Sequence, residues 1–182
     1  MVAKLPINSV KSLSLPSVLR IIRILRWVTS RSSKVYLTSN WGWNMDIGKA
    51  FEVAFNRMKE KDWEKIYVVV DIHDTILRAC YENEETFDYY PYAREALQLM
   101  TSRDDICMIL WSGCYDEQMA MYRSHFAEEG IRFDYANENP EVGKTSFQNF
   151  EVKLYFNVGI DDKFGFEAET DWVKVIEVLG RF

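Results

Sequence analysis

The chain has 182 residues and a mass of 21.5 kDa, enough for one ordinary domain and an appendage. Hydrophobic residues make up 48% and charged residues 27%. That balance excludes wholesale disorder and collagen-like structure, and no apolar run approaches the roughly 20 residues of a membrane span. The net charge of −6 is unevenly spread. Residues 1–44 carry seven bases and no acid, while residues 45–182 carry the other 15 of the 22 bases and all 28 acids, a net −13. Three cysteines, an odd number without paired spacing, argue against a disulfide scaffold and for a reducing compartment, the cytoplasm.

In chain order, residues 16–30 read as a basic amphipathic helix. Val18, Leu19, Ile21, Ile22, Ile24, Leu25 and Val28 are apolar, and Arg20, Arg23 and Arg26 recur every third residue. Such a segment suits contact with an anionic membrane surface, a targeting leader, or an accessory helix packed on the rest of the chain. Met45 offers an alternative start, which makes residues 1–44 an extension and residues 45–182 the main domain. Residues 46–62 keep helical spacing through Ile47, Phe51, Ala54, Phe55 and Met58. Ile66–Val70 is a continuous β-branched run, the mark of a strand buried on both faces. Residues 78–90 are acidic and aromatic without period, so they read as a loop or flap. There Phe87, Tyr89, Tyr90 and Tyr92, with Arg94, suit either stacking on a base or sugar or covering the sheet edge.

Pro91 opens a helix through Met100, and Ile106–Trp111 is a second buried strand. Residues 115–129 form a helix ended by Gly130, Ile131–Tyr135 is a third strand, and residues 137–150 are loop. Leu154–Ile160 is a fourth strand, and Thr170 caps a last helix with Trp172, Val173, Ile176 and Leu179 inward. Strands alternating with helices predict an α/β fold: a Rossmann-like three-layer sandwich, with a central parallel sheet and helices on both faces.

In such sheets the ligand sits beyond the carboxyl ends of the strands. Asp71-Ile72-His73-Asp74-Thr75 follows the first strand, Ser112-Gly113 the second, and Asp161-Asp162-Lys163 the fourth. Carboxylates crowded at one rim repel unless a cation holds them, and oxygen ligands of this kind suit Mg2+ beside a substrate phosphate. Asp71, at the tip of the first strand, is the natural nucleophile on phosphorus, and Ser112 is the natural phosphate-binding hydroxyl.

These residues resemble the haloacid dehalogenase (HAD) superfamily. Asp71-Ile72-His73-Asp74-Thr75-Ile76 resembles its first motif, D-x-D-G-T-[LI]; Ile109-Leu110-Trp111-Ser112 resembles the second; Val158-Gly159-Ile160-Asp161-Asp162 resembles the fourth. The segment Phe133–Pro140, followed by Lys153, looks like small capless bacterial and phage hydrolases of that group. The resemblance covers roughly residues 65–165 and implies a Mg2+-dependent phosphatase acting through an aspartyl-phosphate on Asp71. It implies Asp71, the carbonyl of His73, Asp161 and Asp162 as metal ligands, with Ser112 and Lys153 on the phosphoryl group. Lys144 is the rival to Lys153.

One departure matters. The family's phosphatases carry an Asp two residues after the nucleophile, which protonates the leaving oxygen and then activates water. Here that position is His73, and the family's Gly is Asp74. A histidine can shuttle a proton near neutral pH, and Asp74 is a second candidate. The other reading is a silent or divergent fold that binds phosphate or Mg2+ without turnover. The stretches from Asp71 to Ser112 and from Ser112 to Lys153 leave no room for a cap domain. The acidic main domain repels nucleic acid over most of its surface, which favours a small phosphorylated metabolite as substrate. Among the remaining polar residues, His125 reads as a surface or core-edge residue of its helix.

Overall fold

The computed structural model describes residues 46–80 and 86–182. The basic segment 1–44 with its expected helix over 16–30, the alternative start at Met45 and residues 81–85 of the expected loop or flap lie outside the described residues.

Helix α1 (Ile47–Lys61) starts where Asp46 caps it, accepting a hydrogen bond from the Lys49 N–H at 2.9 Å. It stops where Asp62 turns left-handed at φ 55°. Its periodic residues Ile47, Phe51, Ala54 and Phe55 are buried. Strand β1 (Ile66–Asp71) follows, then α2 (Ala93–Thr101), β2 (Ile106–Trp111), α3 (Asp116–Glu128) and the short β3 (Tyr135–Ala136). The chain closes with β4 (Val158–Ile160), a 3-10 turn over Asp162–Phe164 and α4 (Asp171–Leu179). All four strands are parallel, in the order β3-β2-β1-β4. With its helices this sheet is the expected α/β, Rossmann-like arrangement.

The strand order reverses between β1 and β4, so the crevice at the carboxyl ends of those two strands is the topological switch point. Register fixes what meets there. Asp71 pairs with Trp111, so Ser112 leaves β2 one residue beyond the level of Asp71. Val70 pairs with Ile160, so Asp161 leaves β4 level with Asp71 on its other side.

Both edge strands are shorter than the sequence predicts, for one physical reason. Over 131–135 and 154–160 the apolar residues are present, with Ile131 and Phe133 buried, but side chains replace the backbone ladder. Asp134 Oδ2 takes the Met108 N–H at 2.9 Å while the Asp134 N–H binds the Met108 carbonyl at 2.8 Å. Asn157 does the same on the other edge, with Oδ1 accepting the Tyr67 N–H at 2.8 Å and its own N–H bound to the Tyr67 carbonyl.

The two faces of the sheet are covered differently. Val68, Val70, Met108, Leu110, Val158 and Ile160 face a core filled by Phe51 and Phe55 of α1, Leu97 and Met100 of α2, Phe126 of α3 and Trp172 of α4. Val69, Cys107 and Ile109 face the other way, under Tyr67, Trp111, Tyr135, Leu154 and Phe156. No residue of α1–α4 belongs to this second cluster. Among the described residues, the cover expected to be helical is there the helix-free connection 137–157. Val173, expected inward, is half-buried, and the inward face of α4 is Trp172, Val175, Ile176, Val178 and Leu179.

Candidate metal centre

Asp71, Asp161 and Asp162 meet at the switch point. Each offers a carboxylate oxygen, and the three oxygens lie within 4.8 Å of one another. Asp161 is buried and the other two are half-buried. Burial pushes the Asp71 carboxyl up to about 6, and the charges of Asp161 and Asp162 act in the same direction. Asp162 Oδ1 is buried without a hydrogen-bond partner among the described residues. An uncompensated carboxylate oxygen next to two more carboxylates is costly, and a hard cation removes that cost. The all-oxygen donor set fits Mg2+ or a similar ion.

A buried hydroxyl ties the two arms of this cluster together. Thr75, which has no exposed surface, donates to Asp71 Oδ2 at 3.3 Å and accepts the Asp162 N–H at 3.1 Å. The Trp172 indole N–H in turn binds the Thr75 carbonyl at 3.0 Å, which pins the turn to α4. On the β4 side, Asp161 Oδ1 accepts the Lys163 N–H at 2.7 Å and so closes the 3-10 turn.

The turn after β1 also orders His73 and Asp74. Its hydrogen bonds run from the Ile76 and Leu77 N–H groups to the Ile72 carbonyl, and from the Asp74 N–H to the Leu77 carbonyl. The His73 carbonyl is not an acceptor in that set and stays available as a ligand. The His73 ring is half-buried with Nε2 3.0 Å from the Tyr122 hydroxyl of α3. Burial holds its pKa below the ordinary imidazole value, with Asp74 opposing. Asp74 adopts φ 56°, the left-handed conformation a glycine takes easily at this position. Its Oδ1 accepts the Ala79 N–H at 3.2 Å and the Tyr90 hydroxyl at 3.5 Å. The carboxylate is therefore held by the base of the flap.

Ser112 stands on the same rim. Its backbone is bracketed by Asn137, whose Oδ1 accepts the Ser112 N–H at 2.9 Å and whose Nδ2 donates to the Ser112 carbonyl at 2.7 Å. The Ser112 hydroxyl contacts Cys114 Sγ at 3.1 Å. Asn137 lies within the Phe133–Pro140 segment, whose resemblance assigns it no such task. Asn137 adopts φ 55° just after the edge strand, a left-handed conformation that Asn takes more readily than most residues. Lys153 and Lys144 are both exposed. Lys144 pairs with Glu151, and among the described residues no hydrogen bond or ion pair links the Lys153 ammonium to the carboxylates. The lysine that does meet them is Lys163, whose ammonium pairs with Asp162 and feels the charges of Asp161 and Asp71. Its adjacency to the Asp-Asp pair in sequence was the overlooked signal.

The aromatic flap packs on the fold. Arg78 and Tyr90 bond back to Asp88 and Ile76, Phe87 lies 4.3 Å from the His125 ring, and Tyr89 packs on His125 and Phe126. The Arg94 guanidinium stacks over Tyr89 at 4.6 Å. Most of this set covers the edge of α3, while Phe87 keeps 40% of its surface exposed beside Tyr122.

No protein-family model matches the chain, and no curated protein does. Among solved structures, the chain is similar to a conserved protein coded by a locus of Bacteroides thetaiotaomicron, with 26% identity over 64% of this chain and 91% of that one, at a TM-score of 0.51. No described helix is long and apolar enough to cross a membrane. The likeness supports the fold, a four-stranded parallel sheet with helices packed on it.

Proposed function

We propose that this chain is a Mg2+-dependent phosphohydrolase of the HAD type, acting through an aspartyl-phosphate on Asp71. The observation that carries the reading is the cluster of Asp71, Asp161 and Asp162 at the switch point of a parallel sheet. Asp71, Asp161, Asp162 and the His73 carbonyl would hold the ion, which would supply charge neutralisation for a phosphoryl group. An Asp71 oxygen forms a bond to phosphorus as the bond to the leaving oxygen breaks. Water then cleaves the acyl phosphate and releases inorganic phosphate. Ser112 and Lys163 would receive the phosphoryl oxygens, with Lys153 and Lys144 as the sequence-based alternatives. Proton transfer falls to His73. With Nε2 engaged by Tyr122, Nδ1 is the ring nitrogen left to serve the leaving oxygen. A site without a cap is open enough for a bulky phosphate, and it is the net negative charge of residues 45–182 that favours a small phosphorylated metabolite over nucleic acid.

The silent reading rests on a specific observation as well. His73 is tied to Tyr122 and Asp74 to the flap, so both candidate proton carriers have structural partners. Phosphate release from an aryl phosphate and a panel of nucleotides and sugar phosphates separates the readings. The phosphohydrolase releases phosphate with Mg2+ and not with chelator, loses release in Asp71→Asn, and slows on the order of 10²–10⁴-fold in His73→Ala. Mg2+ binding without release across the panel supports the silent reading.

A further inference from the structure

An all-parallel sheet is apolar on both faces and ordinarily carries helices on both. Here the four described helices all pack on one face. On the other, Tyr67, Trp111, Tyr135, Leu154 and Phe156 are only half-buried. Further out, Phe164 is 58% exposed, its ring stacked on Phe156 across Gly159.

The described residues begin beside one edge of this sheet. Asp46 and Ile47, where α1 begins, line one concavity with Gly159 and Phe164. Asp46 therefore stands at the β4 edge of the sheet, where Phe164 borders the helix-free face. Residues 31–45 can span up to about 50 Å when extended. Four strands at a spacing of ~4.8 Å make a sheet only about 15 Å across. A helix over residues 16–30 would be roughly 22 Å long, comparable to the face it has to cover.

Charge agrees with reach. Residues 16–30 contain Arg20, Arg23 and Arg26 and no acid. One concavity on the helix-free face includes Glu64 and Glu141 beside Tyr67, and another includes Glu138 and Glu151 beside Trp111. Lys65 pairs with Glu141 and Lys144 with Glu151. Among the described residues, Glu64 and Glu138 have no such partner.

We propose that the helix-free face of the sheet is the docking site of residues 16–30 of the same chain, their apolar side over Trp111, Phe156 and Phe164 and their arginines toward Glu64 and Glu138. This is independent of the phosphohydrolase reading, since none of these residues is in the carboxylate cluster. An acidic face repels an anionic bilayer, which is why the chain's own segment is favoured over a membrane as the partner of this surface.

Hydrogen exchange on the full chain tests the proposal, with two double variants: Ile21→Asp/Leu25→Asp in the segment, and Glu64→Lys/Glu138→Lys on the face. Amides of residues 16–30 are expected to exchange at least about tenfold more slowly than an unstructured peptide. Both double variants are expected to restore the unstructured rate, while β1 amides, which report that the core is intact, stay as they were. Four results each overturn the proposal: wild-type exchange at the unstructured rate, protection that survives in either double variant, protection that arises only with phosphatidylserine-containing vesicles, or protection that grows with protein concentration as a second copy would cause.

Discussion

At the scale of single residues, the charge of Asp71 works against the stability of the metal-free fold. Its folded-state carboxyl titrates at about 6, above its ordinary value of 3.8, because burial and two neighbouring carboxylates disfavour the charge. A raised carboxyl contributes stability that is fully present below the unfolded value and is lost as pH rises through about 6. At pH 7 the metal-free protein therefore carries an unfavourable charge. Asp71→Asn is expected to raise the melting temperature of the metal-free protein, by on the order of 1 kcal/mol or a few degrees once solvent screening of this half-buried group is counted. Thermal unfolding in chelator checks this. Mg2+ should stabilise the wild type and leave the variant unchanged. Thr75 has the opposite balance. Thr75→Val keeps the shape but leaves the Asp162 N–H and Asp71 Oδ2 without their shared hydroxyl. The variant is expected to lose about 1–3 kcal/mol of stability by denaturant titration and to bind Mg2+ more weakly by calorimetry.

At the scale of elements, the central strands and the helices were legible because their signals are local. The β-branched run of β1 and the apolar run of β2 read directly as strands, and the Phe51/Phe55 spacing of α1 read as a helix. The edges were misjudged because hydrophobic pattern reports burial, not pairing. Ile131 and Phe133 are buried as a strand would bury them, yet the Met108 N–H goes to the side chain of Asp134. Asp134→Ala is expected to leave that N–H unpaired at the sheet edge and cost about 1–3 kcal/mol in denaturant unfolding. A cost within error of zero would mean that the side chain is dispensable to the ladder. Of the candidate site, the three aspartates were legible because strand ends converge in a parallel sheet. Lys163 and Asn137 were missed for a different reason. Their roles depend on which rim atoms they reach, and that is set by turn geometry rather than residue type.

At the scale of the whole molecule, the unequal faces of the sheet govern access to Cys107. Its thiol is pushed up to about 12, chiefly by burial under the 137–157 connection, whereas Cys80 is exposed. The connection is clasped by Glu141, which accepts hydrogen bonds from Lys65, Tyr67 and Tyr135 at 3.0 Å each. Burial works against ionising Glu141, but these donors outweigh it and hold its pKa below the ordinary carboxylate value. A depressed carboxylate stabilises above its unfolded pKa, so the clasp is present at neutral pH and is lost as pH falls through the folded value. Alkylation at pH 8 is expected to label Cys80 quickly and Cys107 slowly, with Cys107 labelling faster in Glu141→Ala. Equal Cys107 labelling in the variant would remove Glu141 from the clasp.

The central claim is that Asp71 is the nucleophile of a metal-dependent phosphoryl transfer. Acid-quenched single turnovers on a substrate from the panel, read by peptide mass spectrometry, address it directly. The account predicts one phosphoryl group on the peptide containing Asp71, formed with Mg2+, absent in chelator and absent in Asp71→Asn. Mg2+-dependent turnover that persists in Asp71→Asn, with no phosphoryl group on that peptide, would contradict it.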